Sequence, residues 1–504
     1  MEYFALLGLS SAAIAGLAVI LYRRTQDVGI IVGIGALYYW SLYGAWFILI
    51  DKTGGFSGKH YHYLEQKLFA ISLDGSYLEA LALYAGFILT VELTLLAVLD
   101  RRGPGGRTGV ARLRQPAGAA QAAVSPVAGA IPRMILRHEA ILVAGSTAAI
   151  CSFLLIQSKL STAWALNTSA YWYTRSQADQ WFTLHQVLNR IALIPPAIGI
   201  AALLAGRRSM YFTSITRSYT WPAYAVLLGG MAAFTFVLGN KNEVFTAMLA
   251  GFLAYLGSVE RRRWGRVVMA AVAGLWFLYA IDFFRATPVS YMQEALAARL
   301  TEATGAGEFV ASSNEAFAAH FSMYGVLASH VQPKFGYSIY SLACSVIPRV
   351  LWPARPHDIY IYYVESVGAI QNQGYSLHHA TGWYLNFGPT GVFLGAAIMG
   401  LIWAAFLGAR HRIRRHSGLL FRLFATIAPW MFAAGLPPLL RAGPEGYKGV
   451  LIESVVLPVA VLLFACRPGR APKMASLAGY GPAPYGQAPY EPAPYGWPGE
   501  GSAG

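Results

Sequence analysis

In the stretch SVIPRVLWPARPHD, residues 345 to 358, Arg349 and Arg355 stand among Pro348, Pro353 and Pro356 at the end of an uncharged run. The prolines stiffen the backbone around both guanidiniums, so less conformational entropy is lost when they engage a ligand. A guanidinium is a planar fork of donors, suited to two oxygens of a phosphate or diphosphate. Snorkelling to lipid phosphates at a membrane interface accounts for the same residues without a substrate.

Further on, SLHHATGWYLNFGPTGVF sets His378 and His379 before a strongly apolar run. Imidazole titrates near neutral pH and can take a proton from a sugar hydroxyl, although a histidine pair at an interface also serves structure. Glu315 offers a carboxylate, but Ser312 stands at capping-box spacing before it, which explains the acid without catalysis. LGNKNEVF presents Lys241 and Glu243 at a turn between two apolar runs, either as a solvated tip or as an anion contact. Arg190, deep in a run with His185, Pro195 and Pro196, should face a protein interior, with Glu79 or Glu92 as expected partner.

A Walker glycine loop, Gly-x-Ser-x-Gly, His-Glu-x-x-His and Asp-x-Asp are all missing, which disfavours ATP-driven transport and nucleotide-sugar donors. Cys151, Cys344 and Cys466 have no metal-ligand spacing, so neither a zinc site nor a disulfide framework is indicated.

The elements that must position these side chains are membrane spans. The 504 residues are 56% hydrophobic and 12% charged, a balance that points to an integral membrane protein. About twenty apolar residues cross the hydrocarbon core. Runs near that length fall at 4–22, 28–50, 77–98, 140–157, 183–205, 219–238, 244–258, 267–284, 386–408, 417–440 and 449–465. The expected fold is therefore all-α and polytopic, with about 11 to 13 transmembrane helices, the higher count applying if 309–352 forms two short spans. The first run carries no preceding basic stretch and reads as a retained span.

The formal charge of +15 sits in short segments between these runs, so it reads as a topology signal rather than a nucleic-acid surface. Alternation puts Arg23 and Arg24 on one side with 99–137, 206–217, 260–266, 409–416 and the tail, which together hold 23 of the 38 Lys and Arg residues. That side is expected to be cytoplasmic, with the amino terminus outside and the carboxyl terminus inside. The expected organisation is an amino-terminal bundle over 1–285 with a basic linker near 99–137, an extracytoplasmic region over 286–385, carboxyl-terminal spans over 386–466 and a tail over 467–504.

Within the outer region, FVASSNEAFAAHFSMYGVLASHV places Phe317, Phe321, Tyr324, Ala328 and Val331 on one helical face, as in an amphipathic helix or one arm of a shallow hairpin. The uncharged run 336–347 ends at Pro348 and is too short to span, so a dip into the membrane and back is expected. The tail repeats Ala-Pro-Tyr at 483, 488 and 493, a composition expected to stay disordered.

The order of GNKNE, SSNEAF, FGYS, IPRVLWPARP and TGWYLNFGPTGVFLGA resembles the bacterial oligosaccharide repeat unit polymerases, the Wzy-type O-antigen and exopolysaccharide polymerase family. The resemblance runs from about 235 to 405, with Pro-Arg-x-x-Trp-Pro-x-(Lys/Arg)-Pro at 348–356 its most specific part. Lys241 departs from the family, whose hairpins usually carry arginine, and loses the bidentate fork.

The resemblance implies a multi-pass inner-membrane glycosyltransferase, independent of metal and of cofactors. It would transfer a glycan from a polyprenyl diphosphate carrier onto a second lipid-linked repeat unit outside the cytoplasm. Its implied partners are those two lipid-linked oligosaccharides, membrane lipid, a flippase and a chain-length regulator. Diphosphate ligands would be Arg349, Arg355, Lys241, Arg285 and Arg441, with His379, His378 and Glu315 as catalytic groups. A ligase that joins finished glycan to another acceptor shares the donor chemistry. A flippase would call for paired halves, and no internal repeat is visible.

Overall fold

The structure is a computed structural model and describes residues 1–54, 59–100, 133–159, 179–238, 242–259, 314–345, 347, 351–369, 376–413 and 417–469. In chain order the elements are α1 (Glu2–Thr25), α2 (Val28–Lys52), α3 (Lys59–Lys67), α4 (Gly75–Asp100), β1 (Met134–Arg137), α5 (His138–Lys159), α6 (Asp179–Ala205), β2 (Phe212–Ile215), α7 (Thr220–Val237) and α8 (Asn242–Ser258). They continue with α9 (Asn314–Ala328), α10 (Tyr337–Cys344), α11 (Ile359–Ser366), α12 (His379–Phe387), α13 (Pro389–His411), α14 (Leu419–Leu440), α15 (Lys448–Ala465) and β3 (Cys466–Pro468).

Among the described residues, eight helices are long and apolar enough to cross a membrane: α1, α2, α4, α5, α6, α13, α14 and α15. The runs expected at 219–238 and 244–258 form α7 and α8, of 18 and 17 residues. The run 267–284 lies outside the described residues. Helix α14 is the axis of the bundle. Every residue from Ala425 to Pro437 is buried, as an all-round apolar sequence requires.

One end of the bundle is tied by charges and by a small sheet. Arg24 pairs with Asp100, and Arg410 with Asp27; Asp27 also caps α2 by accepting from the Gly29 N–H at 2.8 Å. Strand β1 lies between β2 and β3, parallel to the first and antiparallel to the second, and the Met210 N–H donates to the Ser258 carbonyl at 2.8 Å. Four segments far apart in sequence, at 134–137, 210–215, 258 and 466–468, thus meet at one end. Hydropathy gives no hint of the sheet, because each strand is three or four residues long and continues or precedes an apolar helix.

Two helices depart from the regular α geometry. Helix α2 passes through a π-helical turn at Tyr39–Tyr43, and α15 begins as a π-helix over Lys448–Val456. A π-turn widens the helix and frees carbonyls from the regular ladder, and such turns concentrate at functional sites.

Helix α9 corrects the amphipathic expectation. Its residues from Ala316 to Leu327 are buried around the whole circumference, so it is inserted among α2, α3, α4 and α12 rather than resting one face at an interface. Ala316, Ala318 and Ala319 between the aromatic residues let neighbours approach on the face that periodicity assigned to solvent. The run expected from 386 is likewise interrupted: Gly388, at φ 66°, separates α12 from α13.

Candidate functional site

At the end of the bundle opposite the sheet, α14 stops after Pro437 and Pro438 and the chain turns through RAGPEGYKG, residues 441 to 449. Successive short turns, with the Gly446, Tyr447 and Lys448 N–H groups donating to the carbonyls of Gly443, Pro444 and Glu445, lead into the π-helix of α15. Three charged side chains leave this loop, and each meets a different element.

Arg441 donates to Asn242 Oδ1 at 2.9 Å and lies 5.7 Å from the centre of the Trp40 ring. Asn242 is the first residue of α8, so the loop meets the start of that helix, and Trp40 belongs to the π-turn of α2. Lys448 Nζ donates to the Ser345 carbonyl at 3.0 Å, and Arg355 donates to the same oxygen at 3.2 Å and to the Ile347 carbonyl at 3.1 Å. The two cationic nitrogens are therefore no farther apart than the sum of those bonds. Like charges held this close repel, and the carboxylates of Glu453 and Asp358, which also act on Lys448, offset that repulsion.

Glu445 is the acid of the cluster. Its Oε1 accepts from the Ile359 N–H at 3.1 Å, at the start of α11. Burial first, then the charge of Asp358, push its carboxyl up to about 7, against the opposing bonds from the backbone and from Ser338. Gly443 makes room for the carboxylate: a Cβ there would stand 2.6 Å from Glu445 Oε2. Beneath the loop, Arg190 donates to the Gly449 carbonyl at 3.0 Å and pairs with Glu453. The expected partners, Glu79 and Glu92, are not the ones it takes, because α6 packs against α15.

His379 and His378 come close to this loop but are fully engaged. His379 donates from Nδ1 to the Ala442 carbonyl at 3.0 Å and accepts at Nε2 from the Trp383 indole at 3.0 Å. His378 accepts at Nδ1 from the Ala380 N–H at 3.1 Å, capping α12, and its Nε2 bonds Ser41 Oγ at 3.0 Å. Burial lowers His379 to about 4, and burial, with the neighbouring His379 and His320, holds His378 well below its ordinary value. Each ring nitrogen of both imidazoles is already in a hydrogen bond, so as placed they position α12 and the loop.

A second buried network fixes the π-turn. His320 on α9 donates to the Ser41 carbonyl at 2.6 Å and accepts from Tyr77 at 3.1 Å. Ser322 Oγ donates to the Ala319 carbonyl at 2.6 Å and accepts from the His378 N–H at 3.1 Å. Helix α9 is thereby locked to the helices that carry Trp40 and His378.

Of the residues expected from sequence, the structure brings Arg355, Arg441, His378 and His379 to one region. Lys241, Arg285, Arg349 and Ser312 lie outside the described residues, and Glu315 is described only as a backbone position at the start of α9. Among the described residues, no group of three His, Cys, Asp or Glu could hold a metal ion. Sequence reasoning missed Lys448 and Glu445. Their signal in the sequence is the run of glycines, proline and charges in RAGPEGYKG between two apolar runs. In comparisons with known proteins, the chain matches no family model, no curated protein and no solved structure.

Proposed function

We propose that the chain is a membrane glycosyltransferase that joins polyprenyl-diphosphate-linked oligosaccharide repeat units outside the cytoplasm. The observation that carries this reading is the convergence of Arg355 and Lys448 on the Ser345 carbonyl, beside the loop that bears Arg441. The diphosphate of the donor occupies this cluster, and Lys241 and Arg349 remain proposed ligands on sequence alone. A hydroxyl of the acceptor attacks the anomeric carbon, and the bond from that carbon to the diphosphate oxygen breaks. Polyprenyl diphosphate leaves with the electron pair, and the cations stabilise its growing charge. The hydroxyl proton passes to Glu445, whose carboxyl titrates close to neutral pH while the histidines are committed to other bonds.

The test is polymer formation by the purified, reconstituted chain from lipid-linked repeat units. Removing one transition-state charge contact with Arg355→Ala should slow transfer on the order of a hundredfold or more. Arg355→Lys retains the charge but not the fork and should fall between. A doubly substituted chain, Arg355→Ala with Lys448→Met, that is folded and still makes normal ladders would refute the reading. Exchange of labelled lipid-linked sugar across the bilayer with no new glycosidic bond would favour a transporter instead.

A further inference from the structure

Ser338 on α10 and Asn386 on α12 are both fully buried, and they are joined through backbone and side chain alike. Asn386 Oδ1 accepts from the Ser338 N–H at 2.8 Å, and Asn386 Nδ2 donates to the Gly382 carbonyl at 2.6 Å. A backbone N–H only donates and a carbonyl only accepts, so these two bonds fix which way round the amide stands. The same Nδ2 lies 2.8 Å from Ser338 Oγ. An amide nitrogen offers only hydrogens, so the serine oxygen accepts there and its own hydrogen is left for another partner.

That partner is Glu445. The Ser338 hydroxyl lies within hydrogen-bonding reach of its carboxyl and acts in the sense that favours the ionised form. Glu445 Oε1 takes the Ile359 N–H at 3.1 Å, and Oε2 is buried without a donor of its own. Loss of the proton therefore creates an acceptor to which the serine hydrogen turns. The charged groups on the surrounding elements are Arg355 and Asp358 before α11 and Arg441 and Lys448 at the ends of the loop; of these, Asp358 acts on Glu445 and opposes its ionisation. The other titratable neighbours are His357 beside Asp358, Tyr447 on the loop and His379 on α12, the last with both ring nitrogens engaged.

We propose that Ser338, oriented by Asn386, is a positioning residue for Glu445: its hydroxyl holds the ionised carboxylate in the orientation that takes the proton of the attacking hydroxyl. The inference rests on reading Glu445 as the proton acceptor. It gives FGYS and TGWYLNFG, whose Ser338 and Asn386 are 48 positions apart, one shared task, performed without touching substrate.

Two measurements on the full chain in lipid nanodiscs test this. Infrared difference spectra follow the carboxyl band that Glu445→Gln removes and need no substrate; initial rates of polymer formation follow the acid limb. In Ser338→Ala, which keeps the backbone bond to Asn386, the carboxyl should titrate about one pH unit higher, and the rate well below the limb should fall about tenfold while the rate above it is kept. Ser338→Cys, with a weaker donor in place of the hydroxyl, should fall between the two. An infrared midpoint that stays in place in folded Ser338→Ala overturns the proposal, and so does an equal loss of rate at every pH. A midpoint that moves while the limb stays would keep the Ser338 bond and remove Glu445 from the reaction, so that the reading of the acid fails and the positioning role with it.

Discussion

In the proposed reaction Glu445 and His379 take different parts. The histidine spends both nitrogens on Ala442 and Trp383, whereas the acid holds one oxygen on Ile359 and titrates near neutrality. Only the ionised carboxylate accepts a proton, so transfer should rise as pH increases through about 7 and level off above it. Glu445→Gln should lose on the order of a hundredfold to ten-thousandfold in rate and flatten that acid limb, as read from initial rates across the pH range. An unchanged limb in the glutamine variant would remove Glu445 from the proton's path. Stability moves the other way. An acid raised in the folded state keeps its proton longer than in the unfolded chain, so the stability it supports is lost as pH rises from the ordinary carboxylate range through about 7. The histidine pair was visible in sequence, but its role was not, because Ser41 lies 337 positions from His378 and Ala442 lies 63 from His379.

Helix α12 meets the loop through two glycines, and this contact fixes where Arg441, Glu445 and Lys448 emerge. A Cβ on Gly382 would stand 2.7 Å from the Gly443 Cα and 2.9 Å from Pro444. Backbone cannot swing away as a side-chain tip can, so Gly382→Ala should displace the loop and cost about 1–3 kcal/mol, lowering both the thermal midpoint and the transfer rate. Gly229 in α7 provides the control, since a Cβ there meets nothing within 4 Å and alanine suits a helix interior better than glycine. Gly229→Ala should leave the rate unchanged and the midpoint equal or higher. Equal behaviour of the two variants would mean that the glycine contact does not set the loop. The spans themselves were legible because apolar length and charged boundaries are local properties. The π-turns, the break at Gly388 and the all-round burial of α9 were not, since each depends on partners such as Trp40 for Arg441 or Tyr77 for His320.

The molecule has two differently built ends, joined by helices such as α15, whose 18 residues reach roughly 25 Å at about 1.5 Å per residue or slightly less where π-helical. Lys448 begins that helix in the ionic cluster, and β3 follows its last residue in the sheet. Of the basic segments grouped by alternation of spans, the described residues Arg24, Arg137 and Arg410 lie at the sheet end, while the strands leave no mark in the charge pattern. The carboxyl terminus therefore contains two pieces with different expected weights. Residues 466–468 pair with β1, Leu136 opposite Cys466 and Met134 opposite Pro468, and Arg137 donates to the Phe464 carbonyl. The Pro- and Tyr-rich sequence beyond about 474 has the composition of a segment that builds no packed pocket. Truncation at Ala475 should leave polymer formation within about twofold of the full chain, because the ionic cluster lies a helix length away. Truncation after Ala465 removes a strand's hydrogen bonds, each worth about 1 kcal/mol net, and exposes the buried Cys466 site, so it should lower the thermal midpoint by several degrees. Comparing both truncations by thermal unfolding and by polymer ladders separates the outcomes: lost activity with an unchanged midpoint at Ala475 would make the tail part of the reaction, and an unchanged midpoint after Ala465 would make the sheet dispensable.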